Sequence, residues 1–260
     1  LSAKGTGYAV IRFLPAAHGQ PLHWVREYSH GFKSDSGKWF IESCPTTLGH
    51  DCPVCEANSE LWNTGLKSNQ EIVRQRKRKE TFYYNVYVRS HPDNPEDEGT
   101  VRIFKSGPTI YKMLLAAQKP EFPGDPVIDV FDPWNGADFI LKIYKDENGN
   151  VKYDKSAVAA PSSLASNDAG IEAIWNQAHN LGEFIAPSRF KSSDELRTKL
   201  HQVLGTASTS SGRAAITKSE PAPSIGQVTQ EPISKKTAPV NTGDEEDDPL
   251  KMFEDLAKGD

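Results

Sequence analysis

The sequence predicts an α+β fold, with a small closed antiparallel β-barrel as its body and packed helices after it. Residues 1–155 contain short runs of β-branched and aromatic residues bounded by Gly, Pro, Asn or Asp, which are typical of strands. Beyond them, the apolar residues take the spacing of amphipathic helices. The chain has no internal repeat.

The predicted elements follow in chain order. A helix is expected at 108–118, because Pro108 suits a first turn and Ile110 and Leu114 share one face. Strands are expected at 8–14, 38–43, 81–89, 101–105, 127–131 and 138–145.

Two further helices are predicted near the end of this body, at 170–181 and 194–204. The second begins with the capping-box pair Ser192 and Glu195 and ends at Gly205, a residue type that favours helix termination.

Composition divides the chain into a core at 1–205 and a tail at 206–260. The tail has Phe253 as its only aromatic residue and is rich in Ser, Thr, Ala and Pro, so it cannot bury enough apolar surface to offset its ordering entropy. We therefore expect a disordered linker with an acidic end. The tail holds six Lys and Arg against ten Asp and Glu, so of the 30 and 35 in the whole chain the core keeps 24 and 25. A core with a net charge of only −1 can carry a locally basic surface.

No apolar run approaches the roughly 20 residues that span a bilayer, and no signal-peptide pattern opens the chain. We therefore expect a soluble, cytoplasmic protein. The odd count of three cysteines favours a metal site over a disulfide framework. Because the chain begins at Leu1 without an initiator Met, we also expect that an N-terminal piece has been removed.

Three cysteines and a histidine have metal-ligand spacing, His-x13-Cys-x7-Cys-x2-Cys, at His30, Cys44, Cys52 and Cys55. The Cys-x2-Cys pair lets two thiolates reach one ion, and His30 and Cys44 on neighbouring strands can complete a tetrahedral site. Zinc suits this ligand set best, and with four protein ligands its role would be structural.

Three alternatives to this site remain open from spacing alone. His50 rivals His30 as the fourth ligand because it also lies close to the Cys-x2-Cys pair. The cysteines could instead be ordinary buried small residues. A redox Cys-x2-Cys is the third option, but no βαβ pattern surrounds it.

A basic segment lies in the middle of the acidic chain. Residues 67–89 contain seven Lys and Arg against two Asp and Glu, and the centre of this charge is 74–79. In the following strand Phe82, Tyr84, Val86 and Val88 suit a core, whereas Tyr83, Asn85, Tyr87 and Arg89 suit a surface.

Cations attract phosphates, and aromatic rings beside them stack on unpaired bases, so this segment favours binding of single-stranded nucleic acid. The alternatives are a solvated strand edge and half-buried tyrosines that only pack.

Several stretches resemble the helix-destabilising, single-stranded-DNA-binding protein family of T-even phages. They are AVIRFLP at 9–15, HGFK at 30–33, GKWFIESC at 37–44, CPVC at 52–55, LWNT at 61–64, KRK at 77–79 and PWNGADF at 133–139, together with the acidic end. Their order and spacing extend over about 8–205.

The resemblance implies an oligonucleotide/oligosaccharide-binding (OB) barrel with a zinc subdomain at about 28–62 on one side of a cleft. It implies that His30, Cys44, Cys52 and Cys55 bind one structural Zn²⁺. The resemblance places four aromatic residues at the family's cleft positions: Trp62, Tyr83, Phe104 and Tyr153. Three of the four carry a different aromatic ring from the one the family has there. The expected DNA-binding set is completed by basic residues: Arg76, Lys77, Arg78, Lys79 and Lys105.

Two departures from the family pattern bear on this expectation. The family's basic N-terminal arm is absent before Leu1, so we expect self-association on DNA to be weakened. Glu80 interrupts the Lys/Arg-then-hydroxyl motif that begins at Lys77, so we expect the contacts made by this motif to be weaker than in the family.

The expected function is sequence-tolerant binding of single-stranded DNA in phage replication, recombination and repair, with replication and recombination proteins bound by the acidic tail. An RNA-binding translational regulator is the alternative, since stacking and phosphate contacts suit either polymer. A zinc deaminase would need a catalytic Glu after the histidine, and His30-Gly-Phe lacks it. The chain also has no phosphate-binding loop of the Gly-x4-Gly-Lys-Ser/Thr type. We therefore expect that the protein is not an enzyme.

Overall fold

The computed structural model describes residues 5–205. Its sheet has eight strands: β1 (Gly7–Phe13), β2 (Trp24–Lys33), β3 (Trp39–Ser43), β4 (Lys79–Ser90), β5 (Val101–Ser106), β6 (Ala137–Lys145), β7 (Val151–Lys152) and β8 (Ala157–Pro161). The α-helices of this range are α1 (Pro53–Asn63), α2 (Lys67–Arg76), α3 (Pro108–Gln118), α4 (Asp168–Trp175) and α5 (Ser193–Leu204). Short 3₁₀ helices lie at Pro45–Leu48, Pro95–Asp97, Leu181–Ile185 and Pro187–Arg189. The predicted α+β class is confirmed.

The long strand β4 is the centre of the sheet. Strand β5 pairs along one of its edges, while β2 and then β1 pair with successive parts of the other edge, all antiparallel. Beyond β1 the sheet continues to β6, which pairs with β7 and β8, and at the opposite end β3 pairs with β2. Among the described strands no ladder joins β3 to the β6 end. The sheet is therefore a curled half-barrel with α3 packed on its inner face, and the predicted closure is not found among the strands of residues 5–205.

The inner face of the half-barrel buries the main core. Alternate residues of a strand point to the same face, and α3 packs Ile110, Tyr111 and Leu114 against that face. The strands contribute Ala9, Ile11, Phe13, Phe82, Tyr84, Val86, Ala137, Phe139 and Leu141. The predicted inward face of β4 is confirmed, since Val88 is also buried.

A second apolar cluster joins the β2–β3 hairpin to the end of the described chain. Helix α5 packs its buried residues against Phe32 and Phe40, and Val54 of α1 joins them. The predicted capping box is present, because the Ser192 and Glu195 side chains each accept a hydrogen bond from the other's backbone N–H. The α5 residues of this cluster are Leu196, Leu200 and Val203.

Residues 162–190 cover much of the outer face of the sheet. Leu164 and Ile171 pack on Leu14 and Val101, and Leu181 packs on the β2 and β4 side chains farther along. This layer makes the outer face a second buried surface rather than a solvent-exposed one.

The predicted strand at 127–131 is wrong. Its Ile128, Val130 and Phe131 are buried in the main core, but the segment runs as an irregular stretch that ends in a turn. The Ile128 N–H donates to the carbonyl of Ala117 instead of to a strand, so apolar content alone was misleading here.

Helix α4 begins earlier and ends earlier than the predicted 170–181. Asn167 caps it by accepting a hydrogen bond from the backbone N–H of Gly170, and the chain turns after Trp175. The predicted tail lies outside the described residues.

Candidate metal centre and nucleic-acid surface

Four potential metal-ligand atoms meet where β2, β3 and α1 converge. His30 lies on β2, Cys44 directly follows β3, and Cys52 and Cys55 lie at the start of α1. Pro53 occupies the first helical position, where its fixed φ favours the helix start. The first turn of α1 then places both sulfurs on one side, and the four ligand atoms lie within 4.8 Å of one another.

The separations fit a tetrahedral metal site. The Nε2 atom of His30 lies 3.5 Å from the Sγ of Cys52 and 3.4 Å from the Sγ of Cys55, and the Sγ of Cys44 lies 3.7 Å from that of Cys55. Ordinary zinc bond lengths in a tetrahedron give about 3.8 Å between sulfurs and about 3.5 Å between sulfur and nitrogen. All three cysteines are free, so the short sulfur contacts are not disulfides.

The other ring nitrogen of His30 is held by the backbone. Its Nδ1 lies 3.1 Å from the carbonyl oxygen of Arg76, and Asn58 donates to the same oxygen at 3.2 Å. A proton on Nδ1 leaves the Nε2 lone pair for a metal, which is the usual outer hydrogen bond of a metal-binding histidine. His50 is exposed and stands outside the cluster, so the ambiguity between the two histidines is resolved in favour of His30.

Cys44 and Cys55 have pKa values shifted in opposite directions. Hydrogen bonds from Cys52 and Cys55 lower the pKa of Cys44, whereas hydrogen bonds with Cys44 and Cys52 raise the pKa of Cys55. Burial alone would lower the pKa of His30, but its hydrogen bonds to Cys44 and Cys52 raise it to about 9. A divalent metal ion would remove this conflict, because it stabilises thiolates and a neutral imidazole together.

The basic segment 74–79 joins α2 to β4 beside this cluster. Lys77, Arg78 and Lys79 are exposed. Arg78 places its guanidinium 4.0 Å from the centre of the Tyr28 ring and donates to the hydroxyl of Thr46 at 3.1 Å. The three exposed cations are thus available to phosphates.

The side chains of Arg76 and Trp62 are only partly accessible to a nucleic acid. Arg76 is half-buried with its guanidinium 5.4 Å from the centre of the Phe32 ring, and burial lowers its pKa. Trp62 lies half-buried on α1, and the guanidinium of Arg74 is 5.9 Å from its ring. Arg76 therefore contributes to packing as well as charge.

Tyr83 does not lie on an open surface, so its predicted outward exposure is wrong. It is 6% exposed because the Phe184 ring stacks on it, with the two centres 4.1 Å apart and the planes 11° apart. Its hydroxyl donates to the buried carboxylate of Glu27 at 2.7 Å.

The rest of that strand face is also covered. Asn85 is 1% exposed and exchanges two hydrogen bonds of 2.9 Å with the backbone of His179. Tyr87 is half-buried beside Val101, and Arg89 donates to Asp138 at 3.2 Å. The strand pattern could not reveal this, because the covering layer comes from about 100 residues farther along the chain.

The remaining predicted contacts lie near the rim of the main core. Phe104 and Tyr153 are half-buried against it, and the Phe104 ring centre is 6.1 Å from that of Phe13. Lys105 is exposed, with its ammonium 5.6 Å from the centre of the Tyr83 ring.

Two ring-and-cation pairs escaped the sequence prediction. Arg26 lies 4.6 Å from the centre of the Tyr28 ring, and Arg189 lies 5.7 Å from that of Phe184. Both pairs are local in sequence, but β2 and the 3₁₀ helix Leu181–Ile185 that carry their rings are absent from the predicted elements.

The curled antiparallel sheet, the buried cluster that could hold a metal ion and the exposed basic segment beside it are together typical of a nucleic-acid-binding protein. Residues 5–204 match the family described as "gp32 DNA binding protein like". The chain belongs to this family, whose members are DNA-binding proteins and not enzymes.

Curated relatives agree with this membership. The chain is 36% identical over 214 residues to the single-stranded DNA-binding protein of Enterobacteria phage T4, an alignment that covers 80% of this chain and 69% of the relative. It is 35% identical over 225 residues to the single-stranded DNA-binding protein of Enterobacteria phage T2, covering 84% and 72%. A 79-residue stretch is 42% identical to the protein of that name from Escherichia phage SV14, covering 29% and 69%. Within 5–205, no helix has the length and apolar character needed to cross a membrane.

Proposed function

We propose that the protein binds single-stranded DNA with little sequence preference, protecting exposed strands and removing their secondary structure. The observation that carries this proposal is the exposed run Lys77, Arg78 and Lys79, in which Arg78 lies over the Tyr28 ring. A second ring-and-cation pair, Arg74 with Trp62, precedes the run in the chain. Cations attract the phosphate chain, and rings stack on bases that only a single strand exposes. The T4 and T2 relatives are named single-stranded DNA-binding proteins, which supports single-stranded DNA as the ligand.

The cluster of His30, Cys44, Cys52 and Cys55 binds one structural Zn²⁺ in this proposal. Its three sulfurs and one nitrogen are soft ligands with tetrahedral separations, and all four positions are filled by the protein. The zinc subdomain at about 28–62 would form one wall of the DNA site, with the half-barrel as an OB-type second wall.

The biological setting rests on the phage relatives. We place the activity in DNA replication, recombination and repair in the host cytoplasm. Residues 241–260 carry eight acids against two lysines, a net charge of −6, and the same segment contains the apolar Leu250, Met252, Phe253 and Leu256. We assign to this segment the binding of replication and recombination proteins and competition with DNA.

The test is a fluorescence titration of the full chain with single-stranded DNA, duplex DNA and RNA of one sequence at several salt concentrations. We expect quenching and tight binding with single-stranded DNA, and a negative slope of log K against log salt. Equal affinity for the duplex would contradict the proposal. Tighter binding of the RNA strand would indicate 2'-hydroxyl recognition and favour a translational regulator instead.

A further inference from the structure

Two aromatic rings and two cations are arranged in series across the outer face of β4. The Lys105 ammonium lies 5.6 Å from the centre of the Tyr83 ring, that ring stacks on Phe184 at 4.1 Å, and the Arg189 guanidinium lies 5.7 Å from the centre of the Phe184 ring. Lys105 and Arg189 are exposed and Phe184 is half-buried, whereas Tyr83 is buried. The outer members of this series are therefore the accessible ones.

The segment that carries Phe184 is firmly attached to the sheet. Leu181 is buried against Val25 and Tyr83, and Ile185 packs in the same cluster. Asn180 caps the 3₁₀ helix Leu181–Ile185 by accepting a hydrogen bond from the Gly182 N–H at 2.9 Å. The two hydrogen bonds between Asn85 and His179 hold the chain just before it. Phe184 is thus a fixed part of the surface and not a loosely placed cover.

Tyr83 is fixed in turn from below. Its hydroxyl donates to Glu27 at 2.7 Å, and Glu27 also accepts a hydrogen bond from Ser43 at 2.6 Å. Burial and this bond to Glu27 raise the pKa of Tyr83, so the hydroxyl stays protonated and keeps donating. The Tyr83 ring is held through its hydroxyl by Glu27 and stacked against Phe184. It therefore supports Phe184, but it is too buried to stack on a base itself.

We propose that Phe184 and Arg189 form a nucleobase-stacking subsite of the single-strand path, and that Tyr83 and Glu27 are positioning residues beneath it. The ligand is one unpaired base with its adjoining phosphate: Phe184 supplies the ring surface and Arg189 the cation, which can stack on the base or bind the phosphate. This inference rests on the proposed function, and it moves the stacking role predicted for Tyr83 to Phe184.

The experiment measures single-strand affinity for the full chain and two variants at position 184. Phe184→Leu keeps apolar packing on Tyr83 but removes the aromatic face, so we expect an affinity loss of about 5- to 140-fold, the equivalent of the 1–3 kcal/mol of one stacked base. Phe184→Trp keeps the ring, should retain affinity, and should show extra tryptophan quenching with single-stranded DNA beyond that of the unaltered chain. Arg189→Ala should lower affinity and flatten the salt slope by about 0.7.

Matched controls separate this site from general effects. Phe122→Leu removes an aromatic ring that is 69% exposed in the loop after α3, and Arg197→Ala removes an exposed guanidinium of α5 that pairs with Glu56. Both controls should bind like the unaltered chain. Melting temperatures and metal content confirm that each variant is folded.

The outcomes distinguish this inference from the proposed function. Unchanged or higher affinity in Phe184→Leu, or no added quenching in Phe184→Trp, would overturn the subsite while single-strand preference of the unaltered chain still held. If Phe184→Leu fails to fold, the quenching of Phe184→Trp decides the matter. Failure of the unaltered chain to prefer single strands would instead overturn the proposed function itself.

Discussion

The ring nitrogen Nδ1 of His30 lies 3.1 Å from the backbone carbonyl oxygen of Arg76. His30 belongs to the metal-ligand cluster, and Arg76 is the last residue of α2, directly before the three exposed cations. One hydrogen bond therefore connects the metal site to the start of the basic segment. A metal that fixes the imidazole also fixes where that segment begins.

Removal of the metal should lower both stability and DNA affinity. Because metal binding is coupled to folding, chelation or Cys52→Ser should lower the melting temperature by about 10 °C, with weaker single-strand binding as a consequence. Elemental analysis and calorimetry provide the measurements. His30→Ala should lose the metal, whereas the control His50→Ala should keep one equivalent. A native preparation with far less than one zinc per chain would refute the assignment.

Removal of a cation from the basic segment should change the salt dependence of binding. Lys77→Ala or Arg78→Ala should flatten the slope of log K against log salt by about 0.7 for each phosphate that the variant no longer neutralises. Lys119→Ala, which removes an exposed lysine just after α3, serves as the control and should leave the slope unchanged. Identical slopes in all variants would show that the segment does not bind phosphates.

Removal of the Tyr83 hydroxyl should affect stability much more than binding. Tyr83→Phe keeps the ring under Phe184 but leaves the buried Glu27 with one hydrogen-bond donor fewer, at a cost of about 1–3 kcal/mol in the free energy of unfolding. A double-mutant cycle with Glu27→Gln should show a coupling of about 0.5 kcal/mol or more by denaturant titration. Additive effects would mean that the hydrogen bond contributes nothing.

Gly136→Ala should be strongly destabilising. An added Cβ would lie 2.3 Å from the carbonyl oxygen of Asp132 and 2.7 Å from that of Asp129, so the backbone must shift. We expect a loss of roughly 3 kcal/mol in unfolding free energy. Gly31→Ala is the control, since its Cβ would meet only the flexible end of Lys79, and it should be neutral or slightly stabilising. Equal stability of the two variants would contradict this reasoning.

Deletion of the acidic end should raise single-strand affinity most at low salt. Residues 241–260 carry a net charge of −6 and should compete with phosphates for the basic segment, an attraction that salt screens. The chain truncated after Val240 should also lose binding to replication proteins. If its low-salt affinity and partner binding match those of the full chain, the segment only aids solubility.

The sequence predicted best those features that depend on local pattern. The inward face of β4, the capping box of α5 and the spacing of the metal ligands all follow from side-chain period or ligand geometry within short stretches. The sequence places His30 on a strand but does not predict the extent of β2, because its polar residues, Glu27 and His30 among them, have partners from other elements. Helices α1 and α2 were missed as well, since few of their residues are buried.

The covering of the outer face could not be predicted from the strand. Tyr83 has the alternation of a surface residue, and only the arrival of Phe184 makes it a buried one. Arg12 shows the same limit: inside β1 it is fully buried, where its guanidinium donates at 2.8 Å to the carbonyl oxygens of Asp132 and Ser162. Such partners are distant in sequence and leave no periodic signal.

The packing of α5 on the β2–β3 hairpin has a consequence for synthesis of the chain. Phe32 and Phe40 emerge early from the ribosome, but the Leu196, Leu200 and Val203 that cover them emerge about 160 residues later. The thiols and imidazole can gather around an ion long before that. A metal bound by the nascent chain would hold the hairpin and α1 together during the interval, so that α5 docks onto a preformed surface once it has been synthesised.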